Sequence, residues 1–271
     1  MHRIFHVTGD FLLRLLTRAL QRLRSTLYVA GYTVFLFLET LGWSRRFFSR
    51  FRETVYQMYL AGVESLPVVL LVGAFSGMVL SLQSGLTLRS FGAEELVGVI
   101  VPLAMMRQMA PIMTALILAG RVGSSMAAEI GTMAVSEELD ALEVMSINPV
   151  RYLVMPRFWA LTIMAPMLTL FAAVVGTAAA GMVADWQVGL DFQSYWQNVL
   201  RQVRIKDVCT GLSKALVFGM FVSIICCSEG LRTSGGAAGV GESTRRSVVV
   251  SFICVIIVNY FMTSIIQRLF Y

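Results

Sequence analysis

Five stretches of this 271-residue chain are long and apolar enough to require a lipid bilayer around them. They are Leu66 to Leu88, Leu96 to Ala119, Phe158 to Val183, Val208 to Cys227 and Val248 to Ile266. A helix needs roughly 20 apolar residues to cross a hydrocarbon core of roughly 30 Å, and each stretch meets that length. Backbone N–H and C=O groups in that core must be satisfied within the chain, so five spanning helices and little strand are expected. The composition agrees, with 57% hydrophobic and only 14% charged residues, far from an ordinary soluble domain. The expected fold class is an all-α integral membrane protein.

The formal charge of +6 could suggest nucleic acid, but the placement of the basic residues argues for membrane topology instead. With the N-terminus in the cytoplasm, the inside segments hold nine Lys/Arg from Arg3 to Arg52, three in 121–157 and three in 232–246. The outside segments hold Arg89, Arg201, Arg204, Lys206 and Arg268. Cys209, Cys226, Cys227 and Cys254 lie in or beside apolar blocks, which reads as packing and supports neither disulfides nor a metal site. His2 and His6 are the only histidines, so most His-dependent catalytic schemes are excluded.

Two regions follow: residues 1–60, interfacial helices, and residues 61–271, the transmembrane domain. Leu12, Leu15, Leu16, Ala19, Leu20, Leu23 and Leu27 share one helical arc, opposite Arg14, Thr17, Arg18, Gln21 and Arg22. That pattern fits a helix lying at anionic headgroups. Leu27 to Trp43 is apolar but short, carries Glu39, and reads as an in-plane or re-entrant element, with a sixth span the weaker reading. Between spans three and four, Trp186, Tyr195 and Trp196 read as aromatic anchors at the outer interface.

Between spans two and three, an acid-rich amphipathic helix is expected over about Ser136 to Met145. Leu139, Leu142 and Met145 line one side, while Glu137, Glu138, Asp140 and Glu143 fan around the rest. Ser136 stands as its N-cap and Asn148-Pro149 as its stop. It is either a solvated loop helix or a surface that another protein reads. Gly73, Gly77, Ser81 and Gly85 place a small residue at every fourth position of the first span, which admits a close helix neighbour within the chain or across a subunit interface. Pro102, Pro111, Pro156 and Pro166 are expected to kink or weaken spans two and three.

Gly236 to Ser243, GAAGVGES, matches a phosphate-binding loop except that Glu242 stands where a lysine would reach the phosphates. It reads as a flexible cytoplasmic turn. Arg107 and Gln108 sit mid-span, where a cation is costly enough to suggest function. Candidate partners for Arg107 are a lipid phosphate, Glu64 or carbonyls freed by Pro111; Lys214 and Asn259 raise the same question, with snorkelling of Lys214 as the bland reading. No Ser-His-Asp, Cys-His, paired intramembrane Asp or HExxH arrangement occurs, so no catalytic or metal-binding residue is assigned and no enzyme is expected.

The chain resembles the MlaE (YrbE) family of ABC-transporter permeases. The resemblance rests on GMVLSLQ at 77–83, MRQMAP at 106–111, AGRVGSSMAAEIGTM at 119–133, EELDALEVMSINPVRYLVMPRFWA at 137–160, GLSKALVFG at 211–219 and GGAAGVGESTRRSVV at 235–249. It implies a homodimeric permease of the bacterial inner membrane that moves phospholipid and serves outer-membrane asymmetry. The implied partners are two ATPase subunits carrying ATP and Mg, a STAS-domain regulator and a periplasmic MCE-domain protein. No cofactor is implied in this chain.

On that resemblance the helix from about Ser136 to Met145 is the coupling helix, and Leu80, Leu88, Phe91, Arg107, Gln108 and Met109 correspond to the lipid pocket. Two departures stand out, because members often carry Glu at the position of Gln108 and Asp at that of Asn259. The alternative function is a non-transporting membrane scaffold that recruits cytoplasmic proteins through the same acidic helix.

Overall fold

The computed structural model describes residues 27–44 and 50–270, with side chains to residue 268. The expected interfacial helix around Leu12 to Leu23 and the two histidines lie outside the described residues. Every regular element among the described residues is helical. In chain order they are α1 (Leu27–Trp43), α2 (Phe51–Arg89), α3 (Glu94–Val135) and α4 (Glu138–Val144). Then come α5 (Val150–Val188), α6 (Phe192–Gln202), α7 (Ile205–Leu231) and α8 (Gly236–Phe270). Among the described residues, helices α2, α3, α5, α7 and α8 are the five long and apolar enough to cross a membrane. The protein is an all-α integral membrane protein.

These helices overrun their apolar blocks. The second continues to Val135, so Gly120 to Gly131, expected as part of the link to the acidic helix, is instead the end of a span. Its burial explains the extension: Met126, Ala127 and Ile130 are enclosed, Gly123 meets Cys226 of α7, and Gly131 meets Thr233.

The small-residue stripe packs within the chain. Gly73 and Gly77 leave room for the α5 backbone at Ala172 and Gly176, where any Cβ would collide with carbonyl oxygens, and Gly85 accommodates Val188. Ser81 donates to the Ala180 carbonyl at 2.9 Å. Such close approach substitutes dispersion contact for the hydrophobic drive that lipid does not supply.

The prolines have unequal effects. Wide, π-type turns occupy Met105–Met109, directly before Pro111, and Val150–Val154, just before Pro156. Pro166 lies inside the uninterrupted run Met155–Val183. A missing N–H at Pro111 leaves the carbonyl four residues earlier, that of Arg107, without its helical partner.

At the far end, α6 lies against the bundle with Asp191 as its cap, accepting from Ser194 N at 3.1 Å. Trp186 is exposed, as a membrane anchor should be, but Tyr195 is not an anchor. It is fully buried and donates its hydroxyl to the Thr177 carbonyl at 3.0 Å, while burial pushes its phenol pKa up. Helical spacing turned it inward. All four cysteines are free; Cys226 and Cys227 are buried and Cys209 is exposed.

Helix α1 packs on the bundle through Leu36, which joins Ile130, Val154, Phe158, Ile224, Ile225 and Cys227 in one core cluster. Thr33 Oγ1 and Ser228 Oγ are 2.9 Å apart across α1 and α7.

Candidate functional site

Two features carry chemistry: a polar centre inside the spans, and the acidic helix α4 with its joints. The polar centre forms where the wide turn of α3 meets α7. Gly211 of α7 has no side chain to hold the helices apart, and the Met106 carbonyl occupies the place where a Cβ would stand. This contact carries Asp207 and Lys214, seven residues apart on one face of α7, to either side of Arg107.

Arg107 pairs with Asp207, a partner that sequence reasoning missed. Nη2 lies 2.6 Å from Asp207 Oδ1 and Nε donates to the same oxygen at 2.8 Å. Asp207 is buried, and its other oxygen accepts from Arg204 N at 2.9 Å, capping α7. The cap and the ion pair together hold the carboxylate in place. Glu64, the expected alternative, binds Arg121 instead at 3.1 Å. An acidic residue in the first turn of a span, seven before a lysine, was the available signal.

Lys214 does not snorkel. It is 1% exposed, and its ammonium donates to the Arg107 carbonyl at 3.0 Å, Gln108 Oε1 at 2.7 Å and Thr263 Oγ1 at 2.8 Å. The Arg107 carbonyl is the one released by Pro111, so the freed backbone acceptor serves a cation from another helix. All three acceptors are neutral, and Lys214 has no carboxylate within ion-pair distance among the described residues. Asn259 lies one turn before Thr263, and its buried Oδ1 has no hydrogen-bond partner. Beside this network is a cavity of about 280 Å³, with Arg107, Gln108, Thr210, Lys214 and Gln267 on its wall together with Leu103 and Ile266.

Of the residues that the family resemblance placed in the lipid pocket, Arg107 and Gln108 line this cavity. Leu80, Leu88 and Met109 pack against the cluster built on Val97, Val101, Met105 and Tyr195, and Phe91 is 79% exposed in the turn after α2. The cavity's other polar members, Thr210, Lys214, Thr263 and Gln267, come from α7 and α8.

Helix α4 is bounded by two residues in the left-handed region, Glu137 at φ 61° and Ser146 at φ 60°. Ser136 is therefore not its N-cap. It ends α3 instead, donating to the Thr132 carbonyl at 2.8 Å and to Glu138 Oε1 at 3.2 Å. Glu137, Glu138, Asp140 and Glu143 are exposed, Leu139 and Leu142 are half-buried, and Met145 is exposed. Val144, which the helical wheel did not single out, is 86% exposed, more than Met145 at 61%.

The turn after α4 is fastened to α1. Asn148 Oδ1 accepts from Arg151 N at 3.1 Å, while its Nδ2 donates to Glu39 Oε1 at 3.0 Å. Arg151 lies over the Trp43 ring at 5.5 Å, a cation–π contact.

Gly236 to Ser243 is no flexible turn, since it forms the opening of α8 after Gly235 and Gly236 turn the chain at positive φ. Ser243 accepts from Thr233 Oγ1 at 2.8 Å, and Arg246 donates to the buried Glu229 at 2.6 Å. These bonds fasten α7 to α8.

Wide turns, a buried cation and a cavity set among five membrane-length helices place the chain in the class of multi-pass helical membrane proteins. The chain belongs to the MlaE permease family, whose model matches residues 54–265. It is 41% identical over 212 residues to a probable ABC transporter permease protein of Synechocystis sp., covering 78% of this chain and 81% of the relative. It is 40% identical to a probable ABC transporter permease protein of Rickettsia typhi, covering 78% and 82%. An intermembrane phospholipid transport system permease protein MlaE of Haemophilus influenzae is 37% identical, with 78% and 81% covered.

Proposed function

We propose that this chain is the permease subunit of an ABC transporter that moves phospholipid between the bacterial inner membrane and a periplasmic MCE-domain partner. It would act as a homodimer, with a separate ATPase supplying ATP and Mg chemistry and a STAS-domain protein regulating that ATPase. The orientation from the basic residues puts the N-terminus and α4 in the cytoplasm, and the cavity beside Arg107 and Lys214 toward the periplasmic side.

The observation that carries this reading is Lys214. A buried ammonium held only by neutral acceptors, beside an open cavity within apolar spans, suits a ligand with an anionic phosphate and hydrocarbon tails. Arg107 shares its charge with Asp207, so Lys214 carries the uncompensated charge that an entering phosphate would meet, by exchange for one of its three present acceptors. Gln108 in place of the family's frequent Glu, and Asn259 in place of Asp, leave that ammonium uncompensated.

For coupling, α4 offers four exposed carboxylates around protruding Val144 and Met145, a surface suited to a basic groove with an apolar pocket. Movement of α4 reaches α5 through Asn148 and the wide turn Val150–Val154. In α8, Ile253, Ile256, Ile257, Tyr260 and Phe261 are exposed and available to lipid or to a second copy.

The test is ATP-dependent transfer of labelled phospholipid by the reconstituted complex, comparing native protein with Lys214→Met. Transfer that survives the substitution would refute the phosphate-anchor role. A complex that binds its ATPase but never moves lipid would favour the scaffold reading.

A further inference from the structure

A second polar cavity lies toward the other end of α3. It has a volume of about 240 Å³ and is walled by Gln57 and Glu64 of α2 and by Arg121, Ser125 and Glu129 of α3, with Met126 on its apolar side. The three α3 residues follow at four-residue steps, so they form one stripe facing the start of α2. Arg121 and Glu129 are 14 and 22 residues beyond Arg107 in the chain, roughly 20 to 35 Å along a helix rising 1.5 Å per residue. That interval is comparable with a hydrocarbon core of roughly 30 Å. The two cavities therefore stand roughly 20 Å or more apart along a single helix, the second at its α4 end.

The ion pairs here remain open to the cavity. Arg121 Nη2 lies 3.1 Å from Glu64 Oε2, with the two side chains 40% and 45% exposed. Glu129 Oε2 lies 2.8 Å from Arg157 Nη2; the arginine is 9% exposed, but the carboxylate is 51% exposed. Ser125 Oγ donates to the other Glu129 oxygen at 3.2 Å. The ligand-facing charges are thus one guanidinium between two carboxylates. Arg157 offsets Glu129, so the cluster is neutral as it stands and a purely anionic headgroup would bring a charge that nothing here compensates. A zwitterionic one can put its phosphate on Arg121 and its ammonium against Glu64 or Glu129, with its glycerol and upper chains beside Leu60, Val122 and Met126.

We propose that this cavity binds the headgroup of an ethanolamine-type zwitterionic phospholipid from the leaflet on the α4 side. It is a second headgroup position, distinct from the one beside Lys214. The proposal rests on the phospholipid-transport reading above.

The experiment places a photoreactive amino acid at Gln57 or, separately, at Leu103 of the other cavity. The full chain in its assembled complex is embedded in nanodiscs of equal phosphatidylethanolamine and phosphatidylglycerol, and lipid adducts are read by mass spectrometry. Ethanolamine lipid should exceed glycerol lipid at position 57 by about fivefold, the scale of one partly exposed ion pair. Glu64→Gln should move that ratio toward unity, and Ser125→Trp should abolish capture at 57 while sparing capture at 103.

Equal capture of both lipids at 57, or capture at 103 alone, overturns this site and leaves the transport reading standing. Capture at neither position overturns both. Loss of the adduct on adding soluble glycerophosphoethanolamine at low concentration would make the site one for a free polar solute, which also overturns the proposal.

Discussion

The centre around Lys214 and the acidic helix α4 are both polar departures from an apolar chain, yet opposite physics governs them. At the first, two cations are held by fixed partners from α3, α7 and α8, and Asp207 is both a helix cap and a counterion. At the second, the carboxylates face solvent and the helix is held by its joints, at Glu137 and at Asn148. A buried charge must be satisfied within the fold, whereas an exposed one is available to a partner. The comparison predicts that substitutions at the first site act on stability and transport, and those at the second on association alone.

The largest effect on stability is expected from Asp207→Ala, which leaves Arg107 without its carboxylate and α7 without its cap. A loss of about 3 kcal/mol is expected, the low end for breaking a buried pair because Arg107 is partly exposed. Thermal unfolding in detergent measures it, and an unchanged midpoint would dissolve the distinction between the two regions. Gly211→Val should follow at about 2 kcal/mol, since a branched side chain drives α7 off the Met106 carbonyl. The same substitution should abolish lipid transfer by withdrawing Lys214 from its acceptors.

Lys214→Met sharpens the comparison, because it removes a buried charge that lacks a carboxylate and keeps most of the side-chain volume. Removing the buried charge offsets part of the cost of leaving the Arg107 carbonyl, Gln108 Oε1 and Thr263 Oγ1 without their donor, so stability should fall by about 1 kcal/mol, while lipid transfer falls by roughly tenfold or more. A large destabilisation would instead make Lys214 a structural strut. The smallest stability effect, within about 0.5 kcal/mol, is expected from Glu138→Lys combined with Asp140→Lys on the exposed face of α4. Co-purification with the ATPase should nevertheless be lost. Val144→Asp should act in the same direction, and retained ATPase binding in both variants would remove α4 as the coupling surface.

The acidic helix was legible because exposed amphipathicity is a local pattern. Its termini were not, since left-handed Glu137 and the reassignment of Ser136 to the end of α3 depend on how the chain turns back toward α1. Arg107 and Gln108 were legible as costly residues, but Asp207 as partner was not. One hundred residues separate Arg107 from Asp207, and only the contact of Gly211 with the wide turn of α3 brings them together. The small-residue stripe was visible, whereas its occupant, α5 of the same chain, was a tertiary outcome.

Sequence alone determined that this is an all-α membrane chain with five membrane-length helices among the described residues, because apolar length and backbone satisfaction in lipid leave little choice. It also marked the surface free for a partner, since exposed charge follows local pattern. Tertiary structure decided which charges are neutralised, which carbonyl Pro111 releases and to whom, and where the cavities open. Those outcomes depend on side chains far apart in the chain meeting at distances of about 3 Å, a condition that packing sets and periodicity does not.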